Sequence, residues 1–305
     1  MIVTVLRWPF LFVLNARSQR TGWALVNGPI VTPEQRDQFA ELRRAGYRFA
    51  GMSSYMTFPV MDTADTLDYE ALCEVWCHCF REPDRFLSTA MPHALISISD
   101  FTDYQRITPE FVVRTNLEES FDFIYVGATE EWKRQAKNWQ LAARCIPRLC
   151  QELRLRCLVI GTPTGDFPSS HNVIFRSVLR WDVFLGLLAR ARLLFVPNIC
   201  DASPRLLAEA LCLNVPLVVN RSILGGWKYV NRFTGVFFTN EKDITAAVQA
   251  CCEQTVAPRE WFRANYGPYL AGRRLFRLLT LVDSGISERS HVRIAEHEEE
   301  SSPAR

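Results

Sequence analysis

Lysine is scarce in this 305-residue chain: 35 residues are Lys or Arg, and only Lys133, Lys137, Lys228 and Lys242 are lysines. A surplus of either charge is also missing. The formal net charge of +2 is too small for a polyelectrolyte binder, so no nucleic-acid partner is expected. No apolar run reaches the roughly 20 residues of a spanning helix. Met1 to Leu14 is apolar except for Thr4 and Arg7, but Pro9 interrupts it and no basic segment precedes it. A buried first strand, Ile2 to Leu6, is expected there rather than a signal or anchor. Gly-x-Gly-x-x-Gly and Walker-type loops are absent, which argues against a nicotinamide-dependent enzyme. Gly161-Thr-Pro-Thr-Gly165 is a weak imitation, and Pro163 makes it a poor phosphate cradle. The ten cysteines are irregularly spaced and many sit in apolar runs such as Leu211-Cys212-Leu213. That excludes a disulfide scaffold and fits buried thiols in a reducing, cytoplasmic compartment. Cys73, Cys77, His78 and Cys79 lack a second pair at zinc spacing, so no metal site is expected.

What is present is a chain with a 48% apolar share, long enough for two domains. The first hundred residues suggest a small α/β layer. Helices are expected over Glu34–Ala45 and Asp68–Phe80, and strands over Tyr47–Tyr55 and Ala94–Ile98. After residue 120 the signal sharpens. Short apolar runs at Phe123–Val126, Cys157–Ile160, Asn172–Phe175, Leu193–Val196, Pro216–Val219 and Gly235–Phe238 alternate with amphipathic stretches. The latter are Trp132–Leu153, Val178–Ala191, Pro204–Leu213 and Ile244–Cys252. This pattern predicts parallel strands buried on both faces, a doubly wound α/β sheet. The expected division is a short domain over 1–105, a connection over 106–120, a second domain over 121–256, helices over 257–282 and a disordered tail over 283–305.

Ligands on such sheets bind beyond the carboxyl ends of the strands. After the strand at Leu193–Val196 comes Pro197-Asn198-Ile-Cys-Asp201-Ala-Ser203-Pro204-Arg205, and Glu209 lies further along the same helix. Ser203 suits an N-cap and Pro204 a first helical turn. A helix start offers free backbone N–H groups and partial positive charge, a ready anion site. Asp201 and Glu209 flank it. After the strand at Phe123–Val126 come Gly127, Lys133 and Lys137, and the two lysines share a helix face. Either could reach a phosphate; the alternative is a solvated face.

The stretch from about Asp122 to Leu281 resembles the donor-binding domain of retaining GT-B glycosyltransferases, the group 1 family. The residues that carry the resemblance are Asp201-x7-Glu209, Glu209-Ala210-Leu211 leading to Pro216-Leu-Val-Val219, Gly225-Gly226, and Thr234-Gly235-Val236. The resemblance implies a GT-B-like fold of two Rossmann-like, doubly wound domains. The N-terminal, acceptor-side one is short, and a C-terminal helix crosses back to brace it. It also implies a glycosyltransferase that uses a nucleotide-sugar donor with retention of configuration, without a metal or other cofactor. In that reading Glu209 holds the donor's ribose and Asp201 faces the sugar. Lys137, or Lys133 as the alternative, balances the diphosphate, with Gly127 opening the loop. The Ser203-Pro204-Arg205 helix start presents amides to the phosphates. The acceptor would be a glycan, lipid or protein, and peripheral contact with a membrane stays open. The chain departs from the family pattern in having Asp201 for Glu, Asn198 for Ser, and Gly127-Ala128-Thr129 where a Gly-Arg pair is usual. The competing reading is a catalytically inactive sugar-nucleotide-binding or scaffold protein of the same fold.

Overall fold

The computed structural model describes residues 6–60, 67–111, 120–127, 131–161, 171–177, 179–286 and 291–295. The expected strand at Ile2–Leu6, most of the 106–120 connection, the 162–165 loop and the end of the tail fall outside those residues. Contacts divide the chain into two units. One holds the residues up to Thr102 and again from Tyr266; the other runs Asp103–Asn265.

The second unit is a six-stranded sheet. Its strands are β6 (Phe123–Val126), β7 (Cys157–Ile160), β8 (Val173–Arg176), β9 (Leu193–Val196), β10 (Leu217–Asn220) and β11 (Gly235–Phe238). They lie in the order β11-β10-β9-β6-β7-β8, and every pair is parallel. All four residues of β7, β9 and β10 are buried, because helices cover both faces. Chain order reverses between β6 and β9, and that switch point opens the crevice where ligands bind in such sheets.

The single helix expected at Trp132–Leu153 is instead two, α3 (Glu131–Ala136) and α4 (Trp139–Glu152). Asn138 between them is left-handed, at φ 52°, a conformation Asn tolerates better than most residues. The remaining helices are α5 (Trp181–Leu188), α6 (Arg205–Cys212), α7 (Ile244–Glu253) and α8 (Pro258–Asn265). Arg259 at the start of α8 donates to the Ile107 and Tyr104 carbonyls at 2.9 and 2.8 Å, and also to Cys212 O at the end of α6. The start of the expected connection is thereby fastened to the second unit.

The first unit is also a six-stranded α/β sheet. It contains β1 (Phe10–Leu14), β2 (Arg20–Val26), β3 (Arg48–Met52), β4 (Val75–His78), β5 (His93–Leu95) and β12 (Arg293–Ile294), in the order β12-β1-β2-β3-β4-β5. β1 pairs antiparallel with both its neighbours, and β2 to β5 are parallel. Alternation along β1 sends Phe10 and Phe12 into one core and Leu11 and Val13 into the other. Leu42 of α1 (Pro33–Arg44) joins the first core. The second is covered by Leu275, Leu278 and Leu279 of α9 (Pro268–Leu279), each worth about 2 kcal/mol when buried. The C-terminal helix therefore does cross back to complete this unit. Asp283, just after it, accepts from Trp23 Nε1 at 2.8 Å and pairs with Arg48 at 2.9 Å.

Two expectations fail in this unit. The helix expected over Asp68–Phe80 is a short α2 (Tyr69–Leu72) followed by strand β4. Cys73 is the C-cap of α2 and Cys77 lies in β4, so the two sit on different elements. Val75–His78 is buried throughout, between β3 and β5, and so short an apolar run fits helix or strand equally well. The expected disordered tail includes β12, where Val13 and Leu14 pair with Ile294 and Arg293. Among the described residues no helix is long and apolar enough to cross a membrane. Nor is any group of three or more His, Cys, Asp or Glu placed to hold a metal ion.

Candidate functional site

The loops at the β6, β9 and β10 ends interlock at the switch point through backbone atoms. Ile199 N donates to Ala136 O at the end of α3, at 3.1 Å. Leu224 N donates to Ile199 O and Gly225 N to Asp201 O, both at 2.9 Å. The Asn138 and Asn220 side chains both donate to Pro197 O, at 3.1 and 3.3 Å. Gly225 is required by this closeness: a Cβ there would lie 1.7 Å from Ala202 O.

Into that frame project Lys137 and Asp201. Lys137 ends the α3 segment just before the left-handed Asn138, and its carbonyl accepts from Tyr125 of β6 at 3.2 Å. Its Nζ lies 2.7 Å from Asp201 Oδ2. Asn198 Nδ2 donates to the same oxygen at 2.9 Å. The two side chains are 24% and 18% exposed, so the pair is poorly screened yet still open to a ligand. Lys133 lies one turn earlier, its carbonyl accepting from Lys137 N at 2.8 Å.

Glu209 sits on the second turn of α6 and is buried, at 7% exposure. Burial pushes its carboxyl above the usual range, opposed by a hydrogen bond from Trp181 and by the Arg205 charge. Trp181 Nε1 donates to Glu209 Oε1 at 2.9 Å. The cap of α6 differs by one residue from expectation: Pro204 is the N-cap, without a side-chain cap bond, and Arg205 is the first helical residue. Ser203 precedes it. The helix start faces the Gly225-Gly226 turn, where a Cβ on Gly226 would lie 2.6 Å from Pro204 Cγ. Gly127 has a packing reason to be glycine, since a Cβ would stand 2.8 Å from the Trp139 ring; residues 128–130 beside it are outside the described ones.

The structure thus brings Lys137 onto Asp201 just ahead of the α6 start, with Glu209 one turn into that helix. It also brings in residues that sequence reasoning passed over. Asn198, in the sequence only a departure from the family pattern, shares Asp201 with Lys137. Trp181 lies within the amphipathic stretch Val178–Ala191, where a tryptophan is ordinarily core.

Two six-stranded α/β sheets with a returning C-terminal helix are the fold of GT-B glycosyltransferases. The chain is similar to Anabaena HepE in complex with UDP and glucose, at TM-score 0.58 and 13% identity over 82% of this chain and 77% of that one. A glycosyltransferase from Rickettsia africae matches at TM-score 0.58 and 11% identity, over 82% and 75%. Sucrose-phosphate synthase from Thermosynechococcus elongatus matches at 0.56 and 13%, over 80% and 71%. No family model matches the chain, and no curated protein sequence matches it.

Proposed function

We propose that this protein is a glycosyltransferase that moves a sugar from a nucleotide-diphosphate donor to an acceptor with retention of configuration. The observation that carries the reading is the Lys137–Asp201 pair at the β6/β9 switch point, 2.7 Å apart, beside the α6 start. Cleaving the bond between the anomeric carbon and the diphosphate sends an electron pair to the leaving oxygen. An acceptor hydroxyl oxygen bonds to that carbon from the same face, and its proton passes to the departing diphosphate oxygen. The growing charge on the diphosphate is the main electrostatic demand, and in this reading Lys137 and the α6 amides meet it without a metal. Asp201 accepts from the sugar hydroxyls and Glu209 from the ribose. Lys133, Ser203, Pro204 and Arg205 line the phosphate end, and Gly127 opens the loop that precedes it. The reading is supported by the fold shared with HepE, whose structure holds UDP and glucose.

The test is a nucleotide-sugar panel. A bound donor should raise the melting temperature of the intact chain, by about 2.7 kcal/mol of stabilisation at a hundredfold excess over Kd. Glu209→Ala should remove that shift and donor hydrolysis while the far-ultraviolet spectrum is kept. Full hydrolysis in Glu209→Ala would refute the site. Donor binding without turnover across acceptors would favour the inactive, binding-only reading.

A further inference from the structure

Trp181, the first residue of α5, is 42% exposed, yet its indole N–H points inward to Glu209 Oε1, 2.9 Å away. Exposed tryptophans ordinarily leave this group to water. Here the ring is held on two sides: Phe111 meets it edge-on at 6.0 Å, and the Arg106 guanidinium stands over it at 6.0 Å. A carboxylate offers about four acceptor sites, so the indole takes one and leaves enough for both hydroxyls of a cis-diol.

We propose that Trp181 is a positioning residue of the donor site, its indole N–H fixing the Glu209 carboxylate in rotation so that the remaining acceptor sites face the donor's ribose diol. This rests on the reading of Glu209 as the ribose acceptor. Trp181 itself touches no reacting atom. Among the described residues, few charged or titratable groups act on the carboxylate. Arg205 lies one turn earlier on α6 and favours the ionised form, as the indole does. Cys212 is three residues further on, with burial pushing its thiol far up, so it stays neutral. Arg106 lies beyond the indole ring.

Trp181→Phe keeps the ring and deletes the donor. UDP and 2′,3′-dideoxy-UDP are titrated calorimetrically into the intact wild-type and variant chains, from roughly pH 4 to pH 8, which spans carboxylate titration. The wild type should prefer UDP. The variant should lose about tenfold on UDP, as for a hydrogen bond to a charged group, with no change for the dideoxy ligand. Deleting a donor to the carboxylate raises its pKa, so the variant's UDP binding should fail at higher pH on acidification. A fold defect would weaken both ligands alike and leave that midpoint in place. A variant with the wild-type ligand ratio and midpoint overturns the role of Trp181 and spares the reading of Glu209. A wild type that does not distinguish the two ligands overturns both. A second measurement needs no Trp181 variant. The indole N–H resonance that moves in Glu209→Gln should titrate with the acid limb of UDP binding in the wild type. A flat response there also overturns the proposal.

Discussion

The sharpest consequence of the proposed site is a sign reversal between two single variants and their double. Lys137 and Asp201 touch at 2.7 Å and are less than one-quarter exposed. If a diphosphate at the α6 start came within about 5 Å of Lys137, opposite unit charges would attract by about 3 kcal/mol at an effective permittivity near 20. Lys137→Met deletes that attraction and leaves Asp201 as a carboxylate facing phosphate. UDP affinity should fall by about two orders of magnitude, since each 1.4 kcal/mol is about tenfold. Asp201→Asn removes the competitor for Lys137, so UDP binding should hold or tighten while turnover of the sugar donor falls. The double variant should bind UDP more tightly than Lys137→Met alone, because the repulsion has gone. Calorimetric titration of UDP at low and high salt reads all three. Breaking a half-buried pair should also lower stability by about 1–3 kcal/mol, between the exposed and fully buried cases. Equal UDP binding in Lys137→Met and the wild type, or no recovery in the double variant, would refute the placement of the phosphates.

Other outcomes follow from the same geometry. Gly225→Ala should lower stability by about 3 kcal/mol and weaken UDP, because the new Cβ would lie 1.7 Å from Ala202 O and must displace the loop that carries Asp201; an unchanged melting temperature and UDP affinity would contradict this. Glu209→Gln should be more stable than the wild type at neutral pH, by about 1 kcal/mol, and lose the advantage on acidification. The sign follows from burial raising the Glu209 pKa in the fold. Such a group contributes stability below its unfolded value, about 4.3, and loses it as pH rises through the folded value. Melting curves from pH 4 to pH 8 check this, and a wild type more stable at neutral pH would contradict it.

The second unit was readable in the sequence because parallel strands buried on both faces leave unbroken apolar runs. Phe123–Val126, Cys157–Ile160, Leu193–Val196 and Gly235–Phe238 are strands with the boundaries expected. The first unit was less readable. Val75–His78 is too short for its period to declare a strand, and β12 is only two residues long, held by its pairing with β1. Neither signal is local, so composition alone reads one as helix and the other as tail.

The site divides along the same line, between what side chains announce and what the backbone arranges. Lys133 and Lys137 share a helix face if the helix is continuous, and their spacing cannot rank them. The left-handed Asn138 ends that helix, and Lys137, at the break, is the lysine that reaches Asp201. The frame around them is built from N–H and C=O groups of Ala136, Ile199, Asp201, Leu224 and Gly225, which any residue except proline could supply on the donor side. Among these backbone contacts only the glycine leaves a trace in the sequence, because only there does the approach of two backbones forbid a side chain. The Asp-for-Glu departure can be understood in the same terms. An acid one methylene shorter still meets its lysine, because the loop carrying Asp201 is drawn toward the α3 end by Ile199 and held by Gly225.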